Sequence, residues 1–258
     1  MSVRVGIAGV GGRMGALLVA EARATGATLV GGIRRPGDTT PAPADVAMLP
    51  DIAALAGAAE VVIDFTHASA VVAHAGAIAA AGCRWVLGTS GLSAADEAAV
   101  ARAAAQVTVV HAPNFAPGVN LVLALAERMG AALPAASYDV EIVEMHHRQK
   151  VDAPSGTALG LGRAVARGRG VDLAENMESG RHGHTGPRRT GAIGFAALRG
   201  GQVVGEHTLL FAAATEHIAL THRAFDRRAY AAGALRAALW SRARPPGLYS
   251  MLDVLGMR

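Results

Sequence analysis

Cysteine is nearly absent from this chain: of 258 residues only Cys83 carries a thiol. It cannot form an internal disulfide, so a reducing compartment is tolerable, and its expected role is that of a small buried thiol. Aromatic residues make up only 4% of the chain, against 52% apolar residues overall. The core must therefore rest on aliphatic packing and close backbone approach. No uninterrupted apolar run reaches membrane-spanning length. No signal peptide is visible either, because the first residues, M-S-V-R-V-G-I-A-G, lead straight into a strand and a glycine turn. These absences lead us to expect a soluble cytoplasmic protein with no membrane partner. Charge of one sign is also missing: the net charge is only +4 and the basic residues are dispersed. That balance suits anionic metabolites and does not by itself argue for nucleic acid.

The length allows one large or two modest domains. Val3 to Ala8 reads as a strand and runs into Gly9-Val10-Gly11-Gly12-Arg13-Met14-Gly15. A helical pattern follows from Arg13 to about Ala24, then a second apolar segment from Ala27 to Ile33. Strand, glycine turn, helix and strand form the first unit of a dinucleotide-binding domain, in which a pyrophosphate rests on the helix N-terminus. The generic fingerprint is displaced here. Met14 stands where its last glycine would be, and Gly15 comes one place later. At the end of the second strand an acid would bind the ribose 2′-hydroxyl of NAD. Arg34-Arg35 stands there instead, and two cations suit a 2′-phosphate, with Arg13 able to join them from the turn. The expected cofactor is NADPH, with NADH possible.

The next stretch, 39–50, is rich in proline and alanine and reads as a surface loop. Beyond a short helix at Asp51 to Gly57, strands at Val61 to Phe65, Arg84 to Leu87 and Val107 to His111 alternate with helices at Ala68 to Ala81 and Ser93 to Ala105. Such alternation implies a parallel sheet, whose ligands lie at the carboxyl ends of the strands. Thr66, Gly88, Thr89, Asn114 and Phe115 occupy those ends and are expected beside the nicotinamide.

After Pro117 the pattern changes. A helix at Val119 to Met129 precedes a strand at Tyr138 to Val143 and then the stretch E-M-H-H-R-Q-K-V-D-A-P-S-G-T, residues 144–157. The helix at Ala158 to Ala166 starts directly after it, with Ser155 or Thr157 as its cap. A helix N-terminus beside Lys150 and two histidines makes a pocket for a small carboxylate or phosphate compound, with a proton donor at hand. Gly168 to Arg189 is polar and reads as a mobile loop. Strand-like runs at Ala192 to Leu198, Gln202 to Phe211 and His217 to Thr221 suggest an antiparallel or mixed sheet. A helix at Asp226 to Ala243 and a tail at Gly247 to Met257 return to the first domain. The expected division is residues 1–116, completed by 226–258, and residues 117–225. His182 and His184 have no carboxylate or cysteine at ligand spacing, so no metal is expected.

The motifs together resemble the 4-hydroxy-tetrahydrodipicolinate reductase (dihydrodipicolinate reductase) family. They are G-V-G-G-R-M-G at 9–15, V-I-D-F-T at 62–66, G-T-S-G at 88–91, N-F at 114–115, E-M-H-H-R-Q-K-V-D-A-P-S-G-T-A at 144–158, G-H-T-G at 183–186, G-E-H-T at 205–208 and G-L-Y-S-M-L-D-V-L at 247–255. The resemblance implies an α/β fold: a Rossmann-type parallel-sheet domain plus a smaller α+β domain with a mixed sheet that binds substrate and builds a homotetramer. It implies reduction of a cyclic unsaturated dicarboxylate to tetrahydrodipicolinate by NADH or NADPH in lysine and diaminopimelate biosynthesis. By match, His146 is the catalytic acid/base and Lys150 the proton donor, while His147, Ser155, Gly156 and Thr157 hold the substrate carboxylates. The cofactor is met by Gly9, Val10, Gly11, Gly12, Arg13 and Met14, by Gly88, Thr89 and Ser90, and by Ala112, Pro113, Asn114 and Phe115, with Arg34 or Arg35 at the adenosine ribose. The chain departs from the family's NADH-tolerant members, which carry an acid where Arg34 stands, and it has G-T-S-G for the commoner G-T-T-G.

Two rival readings stay open on the residues alone. One is another NADPH oxidoreductase on the same plan, such as a homoserine- or aspartate-semialdehyde-type dehydrogenase, of which the semialdehyde enzyme needs a catalytic cysteine. A non-catalytic NADPH sensor or nucleic-acid binder would use the basic run R-H-G-H-T-G-P-R-R at 181–189, which lacks the interleaved aromatics that base stacking needs.

Overall fold

The computed structural model describes residues 2–257 apart from Pro36, Thr39, Pro41 and Ala42. The chain divides into two compact units: residues 1–117 with 227–258, and residues 118–226.

The first unit begins with β1 (Arg4–Ala8), α1 (Arg13–Ala24), β2 (Thr28–Ile33), α2 (Ile52–Ala58) and β3 (Val61–Asp64). A short 3-10 turn leads into α3 (Val71–Ala80), then β4 (Arg84–Leu87), α4 (Ala94–Ala104) and β5 (Thr108–His111). The chain leaves through α5 (Pro117–Ala132) and builds the second unit from β6 (Asp139–His146), α6 (Gly156–Arg169), α7 (Leu173–Asn176), β7 (Met177–Ser179), β8 (Ile193–Arg199), β9 (Gly205–Ala212) and β10 (His217–Ala224). It returns as α8 (Arg228–Ser241), β11 (Gly247–Tyr249) and α9 (Met251–Val254).

The first sheet has the order β11-β5-β4-β3-β1-β2, with every pairing parallel. Its strands are short and apolar because both faces are covered. Val61, Ile63, Val86 and Val110 face one core, shared with α1, α8 and α9. Val62, Trp85, Leu87 and Val109 face the other, shared with α2, α3 and α4. The scarcity of aromatics is met by alanine: Ala231, Ala234, Ala237 and Ala238 of α8 are fully buried. Between β1 and β3 the winding reverses direction, which places the turn after β1 at the crevice where such sheets bind ligands. Of the expected loop at 39–50, Thr39, Pro41 and Ala42 lie outside the described residues. The remainder is less superficial than expected: Val46 is buried, and Gly32 at the end of β2 pairs with Met48.

The second sheet, β10-β9-β6-β8-β7, is mixed. β6 lies antiparallel to β9 and parallel to β8. Val140, Ile142, Leu209, Phe211 and Ile193 form one face, buried with Leu161, Ala164 and Val165 of α6. The opposite face is open, with Val143 and Leu198 exposed.

Three expectations need correcting here. The strand expected at 138–143 continues to His146, because the buried alternation is carried on by Glu144 and His146 rather than by apolar residues. The strand expected from Gln202 begins at Gly205. The stretch expected as a mobile loop from Gly168 to Arg189 is partly ordered: Gly170 ends α6 in the left-handed conformation, α7 follows, and β7 pairs with β8. Leu173 and Met177 anchor it by packing on the core of this unit. No helix among the described residues is long and apolar enough to cross a membrane.

Candidate active site

In the first unit, the N–H groups of Gly9 and Val10 both donate to the Ile33 carbonyl at 2.9 and 3.0 Å, which ties the turn to the end of β2. Gly12 precedes α1 and offers no side-chain cap. The start of α1 is thus left with the unsatisfied amides and positive dipole end that suit a pyrophosphate. A Cβ on Gly15 would stand 2.4 Å from the carbonyl oxygens of both Gly9 and Val10. Gly15 therefore permits the close helix-to-turn packing that the fingerprint assigns one position earlier, and Met14 is free to pack on the core. Arg34 and Arg35 are exposed at the end of β2, and Arg34 donates to the Thr40 carbonyl at 2.9 Å. Asp38, which the sequence reading did not single out, lies beside them. Its carboxyl is held below the ordinary value by hydrogen bonds from Thr40 and by the charges of Arg35 and Arg34.

The carboxyl ends of β3, β4 and β5 gather the other residues expected at the cofactor. Asp64, wholly buried, accepts from the Thr66 backbone and hydroxyl at 3.1 and 2.6 Å, from His74 at 2.7 Å and from Trp85 at 3.3 Å. Thr89 donates to the Thr66 carbonyl at 3.2 Å. The Phe65 and Phe115 rings meet at 5.6 Å, and the Asn114 side chain accepts from the Ala116 amide at 2.8 Å. Gly88 hydrogen-bonds back to Asp64, and Ala112 to Leu87. Ser90 and Pro113 are exposed beside them.

In the second unit the residues of the 144–157 stretch converge at the end of β6. His146 is nine-tenths buried, and its Nδ1 lies 2.6 Å from Glu144 Oε2. Arg199 reaches across from β8 and grips Glu144 with two hydrogen bonds, 2.9 Å to Oε2 and 2.8 Å to Oε1. The Ser155 amide adds a third partner at 3.1 Å. Burial opposes the charge of Glu144, but the hydrogen bonds from Arg199 and His146 outweigh it and hold its carboxyl below the ordinary value. Ser155 is the cap of α6, accepting from the Ala158 amide at 3.2 Å. Its Oγ also sits 2.9 Å from His207 Nε2. Gly156 and Thr157 form the first turn of the helix behind it. The His207 ring meets His146 edge-on at 5.0 Å. Burial first, and the charge of His146 second, push His207 down to about 4, so it is neutral at physiological pH. Lys150 donates to Asp152 at 2.8 Å. His147 is half-buried, with Nδ1 lacking a partner.

Glu144, Arg199 and His207 are the residues that the reading of the sequence missed. For Glu144 a signal existed. Val140, Ile142, Glu144 and His146 share one face of β6, so an acid and a histidine extend a buried stripe. Arg199 and His207 come from strands distant in sequence; His207 falls within the G-E-H-T run at 205–208, but no local pattern gives either residue a role.

The structure also weighs against the semialdehyde-type and the nucleic-acid-binding readings. Cys83 is buried, and desolvation raises its thiol to about 11, which makes it a poor nucleophile. In the basic run, Arg181 pairs with Glu178 and Arg188 with Asp139 and Glu141, so these charges are already matched.

A family model described as dihydrodipicolinate reductase, N-terminus, matches residues 3–115, and one described as dihydrodipicolinate reductase, C-terminus, matches residues 118–255. The chain belongs to the dihydrodipicolinate reductase family. It is 70% identical over 257 residues to the 4-hydroxy-tetrahydrodipicolinate reductase of Granulibacter bethesdensis, covering 100% of this chain and 98% of that one. It is 63% identical to the enzyme of the same name from Gluconacetobacter diazotrophicus, covering 99% and 98%. Among solved structures, the dipicolinate-bound dihydrodipicolinate reductase of Paenisporosarcina sp. TG-14 superposes with a TM-score of 0.81 at 25% identity, covering 98% of this chain and 99% of that one. Membership of this family agrees with the reading of the first unit as a pyridine-nucleotide domain.

Proposed function

We propose that this protein reduces 4-hydroxy-tetrahydrodipicolinate, by way of dihydrodipicolinate, to tetrahydrodipicolinate in lysine and diaminopimelate biosynthesis, and that it prefers NADPH to NADH. The observation that carries the reading is the second unit's cluster: a buried histidine, a lysine and the capped start of a helix, set together at one end of a sheet. Bound reduced nicotinamide supplies the hydride. The chain supplies everything else. The uncapped start of α1 and the amides of the turn cradle the pyrophosphate, and Arg34 or Arg35 meets the 2′-phosphate. Thr66, Gly88, Thr89, Ser90, Ala112, Pro113, Asn114 and Phe115 line the nicotinamide end.

The substrate is a dicarboxylate. Gly156 and Thr157 at the start of α6, with Ser155 and His147, receive its carboxylates, where the helix dipole and free amides favour an anion. Lys150 exchanges its Asp152 partner for a substrate carboxylate, which orients the ring for reduction. His146 or Lys150 then provides the proton that completes the reduction. The reading extends to a cytoplasmic homotetramer built on the open face of the second sheet, where Val143 and Leu198 stand uncovered.

The test is a coupled assay in which dihydrodipicolinate synthase makes the unstable substrate in place and nicotinamide oxidation is followed by absorbance. His146→Ala and Lys150→Ala are each expected to lower kcat by about 10²- to 10⁴-fold, with NADPH affinity unchanged. Wild-type turnover in either variant removes that residue from the chemistry. Wild-type protein is expected to oxidise NADPH faster than NADH, and Arg34→Ala with Arg35→Ala to narrow the difference. Equal rates with the two cofactors leave the enzyme in place but sink the arginine argument.

A further inference from the structure

One carboxylate in the second unit touches the histidine and the helix cap of the proposed catalytic cluster without being part of the chemistry. Glu144 is 1% exposed. Its Oε2 takes His146 Nδ1 at 2.6 Å, and its Oε1 takes the Ser155 amide, at the cap of α6, at 3.1 Å. The guanidinium that grips both oxygens also donates, through Nη2, to the Asp152 carbonyl at 2.6 Å, in the loop that carries Lys150. An ionised carboxylate only accepts hydrogen bonds, so the nitrogen of His146 that faces it must carry the hydrogen. With both oxygens engaged by one planar fork, the carboxylate cannot turn, and the ring it holds cannot either. The other nitrogen is kept clear: a Cβ on Gly205 would stand only 3.0 Å from His146 Nε2. On its remaining side, the ring meets His207 edge-on.

We propose that Glu144 is a positioning residue for the reduction: clamped by Arg199, it fixes the His146 ring with Nδ1 as donor and leaves Nε2 to meet the substrate. The proposal rests on the reading of His146 as the acid/base. What separates a positioning residue from a merely structural buried acid is an effect on kcat that passes through the His146 ring and is spent once that ring is gone. The charged and titratable groups around His146 are Glu144 on its own strand, Arg199 from β8, His207 from β9, with His222 of β10 beyond it, and Lys150 and Asp152 from the following loop.

The experiment is a double-mutant cycle in the coupled assay with Glu144→Gln, His146→Gln and the double variant. Glu144→Gln is expected to lower kcat by about 10- to 100-fold and to leave KM for NADPH unchanged. In the double variant kcat is expected to equal that of His146→Gln alone. Losses that multiply overturn the proposal while leaving His146 its role. Wild-type turnover in His146→Gln sinks the acid/base reading and the proposal with it. Should Glu144→Gln fail to fold, ¹⁵N NMR of the wild-type histidines reads the same point directly. His146 protonated on Nδ1 and bare on Nε2 supports the clamp, and the opposite tautomer refutes it.

Discussion

His207 shows how one side chain sets a pH limit on the fold. Its pKa falls from the ordinary 6.5 to about 4 in the folded chain. The unfolded chain therefore binds a proton there below about 6.5 that the folded chain refuses until about 4. Stability from this residue is complete above that window and is lost as pH falls through it, amounting to as much as roughly 3 kcal/mol. His207→Gln keeps an amide for Ser155 Oγ and removes the titration. The variant is expected to lose less melting temperature than wild type between pH 7 and pH 4.5, as calorimetry at the two pH values would show. Parallel losses would mean that His207 charges freely in the fold. At this scale the sequence was half legible. Ser155 was readable as a cap because Ser before a helical run has a local mechanism. Arg199 and His207 were not, because their partners are set by strand register across the second sheet.

Among the elements, the turn into α1 is the sharpest case. By spacing alone the fingerprint is out of place; in space Gly15 lies against two carbonyl oxygens. Gly15→Ala must push the helix from the turn, at about 1–3 kcal/mol for overpacking, and should weaken NADPH binding as well. Gly57→Ala in α2 is the contrast: a Cβ there meets nothing within 4 Å, and the change should stabilise by about 0.4–1 kcal/mol. Urea unfolding and NADPH titration by fluorescence measure both. An unimpaired Gly15→Ala would show that the turn relaxes freely. The alternating strands and helices of the first unit were legible because each strand is a short apolar run bounded by turn residues. The end of β6 was not, because its buried stripe changes from Val140 and Ile142 to Glu144 and His146, and period-two reading follows apolar residues. The ordering of α7 and β7 was hidden for a related reason: a four-residue helix and a three-residue strand are held by packing on the core rather than by local preference.

For the whole molecule, the structure gives two units with separate cores, one sheet wholly parallel and the other mixed. Cooperative unfolding belongs to a compact unit, so two transitions are expected in calorimetry where a single-unit chain shows one. NADPH at about 100 times its Kd should stabilise the first unit by about 2.7 kcal/mol, and dipicolinate should act on the second. If each ligand raised both transitions equally, the units would melt as one body. Helices interleave the strands before Pro117, whereas β7, β8, β9 and β10 follow one another with no helix between them. The clamp in the second unit carries a consequence for descent. Losing Arg199 strands an anion in the interior, and losing Glu144 takes two hydrogen bonds from the guanidinium and loosens the histidine. Neither step is neutral alone, so the acid, the arginine and the histidine are expected to pass from ancestor to descendant as a block.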